Sequence, residues 1–328
     1  MATARVALAF PGALAGARAT TRAWRWRFRE RPRAHERRAS GSVGAMFVFK
    51  AAVVGAGTMG AEIAHAIANA DLPVVLKDVD RNFVDQGVDK ARSLWQGRVD
   101  AGKMEASELE RKLALITGTT SDDALGDVDL VIEAGPERIE PGRAVFSELD
   151  ELTPGHAILC STTSAVSITE LGEATGRPDK VVGLHFFHPA STTRLVEVVE
   201  GDDTSPETAA TATNFAQAIR KTPIRCAEAP GFVVNRILSA SASELWRLQE
   251  EGGIDVKAID RVIAESKAAS MGPFLLADVL GLDAVVQITE QLEQSFGDRF
   301  YVHKRMRELV AGGDLGASTG RGFYEHGN

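Results

Sequence analysis

Cysteine and long apolar runs are both scarce in this sequence of 328 residues. The two cysteines, Cys160 and Cys226, are far apart and have no metal-binding spacing, so neither a disulfide framework nor a metal site is predicted. No apolar run approaches the roughly 18 residues that a membrane-spanning helix requires, so we expect no membrane partner. A reducing compartment, the cytoplasm, is the default expectation.

Negative charge is nearly missing from residues 1–45, which contain ten arginines against Glu30 and Glu36. This segment carries a net charge of +8, so the rest of the chain carries −16 within the total of −8. An acidic body argues against nucleic acid as a partner. Residues 1–45 are expected to be a disordered Arg-rich extension before a folded part that begins near Met46. Alternatively they are a transit-type peptide, which would place the protein in the mitochondrial matrix.

The sequence around residue 55 indicates a dinucleotide-binding turn. The apolar run AAVV at residues 51–54 fits a buried strand, and Gly55, Gly57 and Gly60 follow it in a G-x-G-x-x-G pattern. The first glycine allows a tight turn, the second lets backbone N–H groups approach a pyrophosphate, and the third lets a helix pack closely on the sheet. The alternative is a glycine-rich turn in an unrelated α/β protein.

The residues after these glycines strengthen the dinucleotide interpretation. Thr58 and Met59 open a predicted helix whose N-terminus, with its partial positive charge, would point at the pyrophosphate. The next predicted strand, residues 73–77, ends at Asp78, 23 residues after Gly55. A carboxylate there accepts hydrogen bonds from both ribose hydroxyls and repels a 2′-phosphate, so the sequence predicts NAD rather than NADP as the cofactor.

Strands alternating with helices over residues 46–228 predict an α/β fold, a Rossmann-like, doubly wound and mostly parallel sheet that binds NAD. Its last strands are expected at residues 181–187 and 195–199. A polar helical pair at residues 82–115 either holds part of a substrate beside the cofactor cleft or is a plain surface feature. Residues 229–328 are predicted to form a C-terminal all-α domain.

Five polar residues are candidates for the active site, because ligands bind at the carboxyl ends of the strands in such sheets. Glu137, Ser164 and His185 each follow or close a predicted strand, so we expect them to face the cofactor. Glu197 lies within a strand, and Asn235 opens a helix of the second domain. Each has a structural alternative: a histidine at a strand end is often structural, and an asparagine at this point can cap its helix.

The order and spacing of several motifs resemble the short-chain L-3-hydroxyacyl-CoA dehydrogenase family, which includes 3-hydroxybutyryl-CoA dehydrogenases. The resemblance covers about residues 50–324. Its motifs are VVGAGTMGAEIAHAIA, DLVIEAGPE, STTSAVSITEL, VVGLHFFHP, LVEVVEG, APGFVVNRIL and TGRGFY. The resemblance implies NAD as cofactor, an acyl-CoA thioester as substrate and a homodimer formed through the C-terminal domain.

The resemblance also implies a reaction, the reversible oxidation of an (S)-3-hydroxyacyl-CoA to a 3-oxoacyl-CoA in fatty-acid or short-chain acyl-CoA metabolism. His185 would take the hydroxyl proton while hydride leaves for the nicotinamide, and Glu197 would orient this histidine. Ser164 would donate a hydrogen bond to the reacting oxygen, and Asn235 would contact the substrate from the second domain. Glu137 takes the position of a family residue near the nicotinamide ribose.

Three positions depart from the usual family pattern: Thr162 and His188 replace asparagines, and Gly142 replaces a lysine. These changes leave the proposed proton relay intact and bear on the substrate and the nicotinamide contacts. Two other functions stay open on the same fold. One is a dehydrogenase of a free hydroxy or sugar acid, and the other is a non-catalytic NAD-binding structural protein.

Overall fold

The structure is a computed structural model that describes residues 44–135 and 137–327. The expectation of disorder for residues 1–45 therefore falls outside the described residues, except at Gly44 and Ala45. The described strands are β1 (Ala51–Val54), β2 (Val74–Lys77), β3 (Ile116–Thr119), β4 (Leu130–Glu133), β5 (Ile158–Ser161), β6 (Val181–Phe186), β7 (Leu195–Glu200) and β8 (Thr222–Ala227). They form a single sheet in the order β3-β2-β1-β4-β5-β6-β7-β8.

Neighbouring strands of this sheet run parallel, except that β6 and β7 are antiparallel. The mostly parallel α/β fold predicted from the alternation of strands and helices is thus confirmed. The described α-helices are α1 (Thr58–Asn69), α2 (Arg81–Asp100), α3 (Ala106–Leu113), α4 (Ile139–Leu152), α5 (Ile168–Gly172), α6 (Pro206–Ala218), α7 (Val234–Gly252), α8 (Val256–Glu265), α9 (Pro273–Leu280), α10 (Leu282–Phe296) and α11 (Lys304–Ala311). In the part of the chain that the structure describes, no helix is both long and apolar enough to span a bilayer.

The central strands of the sheet are buried on both faces, which explains why they read as apolar runs. Successive residues of a strand point to opposite faces, so Val53 joins the core cluster with α1 and α6, whereas Ala52 joins the cluster with α4 and α5. A third cluster, centred on Trp246 and Phe274, lies among helices α7 to α11. The predicted C-terminal helical region therefore has an apolar core of its own.

The sequence prediction was wrong about where the sheet ends. Helix α6 and strand β8 follow β7, and β8 pairs parallel with β7 from Leu195 opposite Thr222 to Glu200 opposite Ala227. The strand reads TPIRCA and lies half-exposed at the edge of the sheet. Proline and arginine are tolerated at such an edge, and they weaken the apolar signal by which strands are recognised in a sequence.

His65 on α1 is a buried base without a protein partner for its ring nitrogens among the described residues. Its ring packs on Trp95 with 4.5 Å between centroids. Burial, together with the positive charges of Arg98 and Lys221, lowers the pKa of His65 from 6.5 to about 4. The folded state therefore holds this imidazole neutral, in an environment that suits an apolar side chain.

Acid should destabilise the protein through His65. Because its folded pKa lies below the ordinary value of 6.5, the favourable contribution is complete above that pH and is lost as the pH falls toward 4. At pH 5 the loss amounts to roughly 2 kcal/mol of unfolding free energy. The free energy of unfolding can be measured in urea at pH 7.5 and at pH 5. Its decrease between the two pH values should be smaller in His65→Met than in the wild type by this amount. Equal losses in both proteins would contradict the assignment.

Candidate active site

The turn between β1 and α1 has the geometry that dinucleotide binding requires. Gly55 has φ = +106°, and a Cβ there would lie 2.6 Å from the carbonyl oxygen of Ala134. A Cβ on Gly60 would lie 1.8 Å from the carbonyl oxygen of Gly55, so only glycine lets α1 pack this closely on the turn. A Cβ on Gly57 would meet no described protein atom within 4 Å. Space for a ligand is therefore open at the N-terminus of α1.

Thr58 and Met59 form the first turn of α1. Backbone N–H groups in a first turn have no intrahelical acceptor and are available to an anion. Asp78 follows β2, and its half-buried carboxylate accepts hydrogen bonds from the backbone N–H groups of Ala56 and Val79, at 2.7 Å each. This carboxylate is held against the glycine turn, where it suits the predicted contact with a ribose.

His185 and Glu197 lie directly opposite each other on the antiparallel strands β6 and β7. Residues paired in this way project from the same face of a sheet, and Nδ1 of His185 lies 2.6 Å from Oε2 of Glu197. His185 is 5% exposed and Glu197 is fully buried. Because Nδ1 is occupied by the carboxylate, Nε2 is the ring nitrogen left to exchange a proton with a ligand.

The second oxygen of Glu197 reaches the start of the helical region. Its Oε1 accepts hydrogen bonds from the backbone N–H groups of Val233 and Val234, both at 2.9 Å. Burial by itself would raise the pKa of Glu197, but the hydrogen bonds from His185 and from Val234 and Val233, with the charge of His185, lower it overall. The carboxylate is thus ionised at neutral pH, as an anion that stabilises a protonated His185 must be.

Two aromatic side chains hold the ring of His185 in place. Phe187 lies with its centroid 4.5 Å from that of the imidazole, and Phe232 lies 5.6 Å away in an edge-to-face arrangement. Phe232 belongs to the segment that leads into α7, so both the sheet and the helical region contribute to the surroundings of the pair. The ring is therefore fixed by a hydrogen bond at one nitrogen and by apolar contacts on its sides.

Ser164 and Glu137 are also in contact. Glu137 accepts a hydrogen bond from the backbone N–H of Ser164 at 2.5 Å and another from its Oγ at 3.0 Å. The hydroxyl of Thr163 closes the same turn, because its Oγ1 accepts from the N–H groups of Ala165 and Val166. The hydroxyl-rich turn after β5 and the acid after β4 thus form one hydrogen-bonded unit.

Comparison with known proteins identifies the family of this chain. Residues 50–229 match the family model described as 3-hydroxyacyl-CoA dehydrogenase, NAD binding domain. Residues 231–326 match the C-terminal domain of 3-hydroxyacyl-CoA dehydrogenase. The chain belongs to the 3-hydroxyacyl-CoA dehydrogenase family. NAD is therefore its cofactor, and the resemblance identified from the motifs is confirmed.

Individual relatives cover most of this dehydrogenase. A 3-hydroxybutyryl-CoA dehydrogenase of Clostridioides difficile is 37% identical over 278 residues, which is 84% of this chain and 99% of the relative. A 3-hydroxyadipyl-CoA dehydrogenase of Escherichia coli K12 is also 37% identical, and the match spans 84% of this chain but 58% of that protein. The crystal structure of (S)-3-hydroxybutyryl-CoA dehydrogenase from Ralstonia eutropha superposes with a TM-score of 0.82 at 36% identity, over 86% of this chain and 100% of the other.

Asn235 lies at the second residue of α7 in this dehydrogenase, immediately after the Val234 whose N–H is bonded to Glu197. Its side chain makes no hydrogen bond to His185 or Glu197 within the described residues. It borders an apolar cavity of about 250 Å³ inside the helical region, together with Trp246 and Leu238. The structure thus places Asn235 directly after a residue that contacts Glu197, without a hydrogen bond between Asn235 and the pair.

A separate polar cavity of about 540 Å³ lies between the hydroxyl-rich turn and α10. Glu137, Ser167 and Gln291 are among its lining residues, and Nε2 of Gln291 donates a hydrogen bond to the carbonyl oxygen of Ala165 at 3.0 Å. This cavity borders Glu137 and the residues that follow Ser164, whereas His185 and the glycine turn do not line it.

Glu133 belongs to this region of the dehydrogenase, although sequence reasoning missed it. It closes β4, is buried, and accepts hydrogen bonds from the Gly135 N–H at 2.7 Å and the Ser161 hydroxyl at 2.9 Å. Burial raises its pKa, with a smaller contribution from Glu137, and these two hydrogen bonds oppose the rise. An acid at the end of the apolar run LVI was the sequence signal that could have revealed it.

Proposed function

We propose that this protein catalyses the reversible NAD-dependent oxidation of (S)-3-hydroxyacyl-CoA thioesters to 3-oxoacyl-CoA, in fatty-acid or short-chain acyl-CoA metabolism. The observation that carries the proposal is the contact of 2.6 Å between His185 and Glu197. Their strands belong to the same sheet as β1, the strand that leads into the glycine turn. The names of the relatives from C. difficile and E. coli support a 3-hydroxyacyl thioester as the substrate class.

The proposed mechanism assigns one task to each side chain. Nε2 of His185 takes the proton of the substrate hydroxyl, and the Glu197 carboxylate stabilises the imidazolium that results. NAD held at the glycine turn would supply the acceptor for the hydride, which leaves the carbon that bears this hydroxyl. The hydroxyl of Ser164, which donates to Glu137 in this structure, turns to donate a hydrogen bond to the reacting oxygen, while the bond from the Ser164 backbone N–H to Glu137 keeps the residue in place. Asn235 contacts the thioester from the helical region, so closure of that region over the sheet completes the site.

The test is NADH oxidation with acetoacetyl-CoA, with free acetoacetate as the control. Turnover of the thioester and little turnover of the acid would support the proposal. Activity on free acids alone would favour the hydroxy-acid or sugar-acid dehydrogenase. Binding of NADH without turnover of either compound would instead favour a structural protein. Comparing thioesters of increasing chain length would then define the preferred substrate.

Asp78 should determine the preference for NAD. Removing its charge in Asp78→Ala removes both the acceptor for the ribose hydroxyls and the repulsion of a 2′-phosphate, so kcat/KM with NADH should fall relative to that with NADPH. The variant also frees the Ala56 N–H that now donates to this carboxylate. For this reason Asp78→Asn, which keeps an acceptor oxygen, is the matched variant. Unchanged discrimination between NADH and NADPH in both variants would refute this role.

We also propose a homodimer formed through the C-terminal helices. Large apolar side chains are exposed there, among them Ile237 at 60%, Val262 at 58% and Leu280 at 53%. Exposed apolar side chains concentrated in one region favour an interaction site, and a second copy of the chain would cover them. Light scattering at micromolar concentration should give the mass of a dimer, and Ile237→Glu should shift it toward the monomer. A monomeric wild type would overturn the proposal.

The proposed location is the cytoplasm, on the basis of the low cysteine content of the chain. The alternative is the mitochondrial matrix. A fluorescent protein fused to residues 1–45 and expressed in eukaryotic cells distinguishes the two, because a transit peptide would carry it into mitochondria.

A further inference from the structure

The loop at residues 187–194 joins the two strands of the catalytic pair. His185 lies two residues before this loop, on β6, and Glu197 lies three residues after it, on β7. The loop is therefore connected directly to both strands that carry the contact of 2.6 Å between Nδ1 and Oε2. The contacts that hold the loop consequently bear on the geometry of the pair.

Glu62 holds this loop from the side of α1. Glu62 lies one helical turn after the start of α1 and is 2% exposed. Its Oε2 accepts a hydrogen bond from the backbone N–H of Ser191 at 3.3 Å and lies 3.8 Å from Nδ1 of His188. A buried carboxylate is costly unless it is paired, and both of these contacts come from the loop.

Lys221 is a second charged side chain that holds the loop. It precedes β8, and its Nζ donates hydrogen bonds to the carbonyl oxygens of Ala190 at 2.5 Å and Thr193 at 2.9 Å. Burial lowers the pKa of Lys221, and the negative charge of Glu62 opposes this. The two charges therefore interact, and between them they contact the backbone of the loop at three residues: Ala190, Ser191 and Thr193.

We propose that Glu62 is a positioning residue that ties the dinucleotide-binding helix α1 to the loop after His185 and so keeps the His185–Glu197 pair in register. This inference rests on the proposed function, because it assigns Glu62 a part in the same reaction. Glu62 acts through Ser191 and His188. Its loss should therefore slow the chemical step more than it weakens cofactor binding. Cofactor binding depends instead on the glycine turn at the start of α1.

The test compares Glu62→Ala, Glu62→Gln and the exposed control Asp89→Asn on α2. In Glu62→Ala, kcat with acetoacetyl-CoA should fall by about tenfold or more, because small misplacements of reacting groups are costly. The dissociation constant of NADH, measured by fluorescence, should stay within about twofold of the wild type. Glu62→Gln keeps a carbonyl oxygen for the Ser191 N–H and should retain more of the rate. Asp89→Asn should leave both quantities unchanged.

A double-mutant cycle tests the route through His188. In the Glu62→Ala background, His188→Asn should have little further effect on kcat, because the contact it removes is already lost. Fully additive effects would show that the two residues act independently and would overturn that part of the proposal. The whole proposal fails if kcat of Glu62→Ala stays within about twofold of the wild type, or if the entire loss appears as weaker NADH binding.

Hydrogen exchange gives a second readout that does not depend on activity. Peptides covering residues 186–196 should exchange faster in Glu62→Ala than in the wild type, whereas peptides of β1 and α1 should change little. Unchanged exchange of the loop overturns the proposal even if the wild type proves inactive toward thioesters. An active wild type with an unaffected Glu62 variant would refute this inference alone and leave the proposed function standing.

Discussion

Replacing His185 with alanine should lower the turnover of acetoacetyl-CoA by at least about a hundredfold, the scale expected for removal of a general base. Glu197 holds Nδ1 of this imidazole at 2.6 Å, so Nε2 is the ring nitrogen that can accept the proton of the substrate. No other base takes this place in the proposed mechanism. The loss should appear in kcat and kcat/KM alike, since the proton is transferred only in the transition state.

The matched control is His156→Ala. His156 is exposed and pairs with Asp129 at 3.2 Å, and it precedes β5 at the amino end of the strand, the edge opposite to the proposed site. This variant should keep near-full activity. NADH binding should be preserved in both variants, because neither histidine lies in the glycine turn. Near-full turnover of His185→Ala would remove this residue from the mechanism.

The glycine turn could be predicted from the sequence because its chemistry is local. The spacing of Gly55, Gly57 and Gly60 depends on φ angles and close approaches within a few residues, and the structure has both a left-handed φ at Gly55 and an open space at Gly57. The distance from this turn to Asp78 also follows from one strand-helix-strand unit. Such features need no knowledge of how distant elements pack.

The contacts of the candidate site depended on tertiary packing and were harder to predict. The sequence suggested that His185 and Glu197 lie on successive strands, but their register follows from the turn of residues 187–194. Nothing in the local sequence indicates that Glu197 also binds the N–H groups at the start of α7, 36 and 37 residues later. The contact of Glu62 with Ser191 spans 129 residues and was invisible for the same reason.

Strand β8 shows the limit of pattern recognition in another way. Its residues are all exposed or half-buried, and the strand includes Pro223 and Arg225. A parallel strand in the middle of the sheet must be apolar on both faces, whereas an edge strand is free of this requirement. The prediction therefore identified the central strands and stopped one strand short of the edge.

Glu197 is the residue through which the sheet, the histidine and the helical region meet. Three donors converge on its two oxygens: His185 on Oε2, and the N–H groups of Val233 and Val234 on Oε1. The lowered pKa of this buried carboxyl means that its ionised form contributes stability above about pH 4.5, its ordinary value. This contribution is lost only as the pH falls further, through the lowered folded value.

Replacement of Glu197 by glutamine should separate its two roles. A glutamine has one carbonyl oxygen, which can accept from the N–H groups of Val233 and Val234 while its amide group faces His185. An amide donor stabilises the tautomer in which Nδ1 is unprotonated and Nε2 carries the proton, so Nε2 can no longer take a proton from the substrate. Glu197→Gln should therefore lose about a hundredfold to ten-thousandfold in rate with a modest loss of stability.

Glu197→Ala removes all three acceptor interactions and should destabilise the fold by about 3 to 5 kcal/mol, because it leaves buried donors unpaired. Urea unfolding at pH 7.5 and steady-state turnover of both variants make the comparison. Stability near that of the wild type in Glu197→Gln, with strongly reduced turnover, would show that the carboxylate sets the tautomer of His185 as well as joining the helical region to the sheet. Retention of full activity by Glu197→Gln would contradict the proposed proton transfer, since the histidine would then work without its anion.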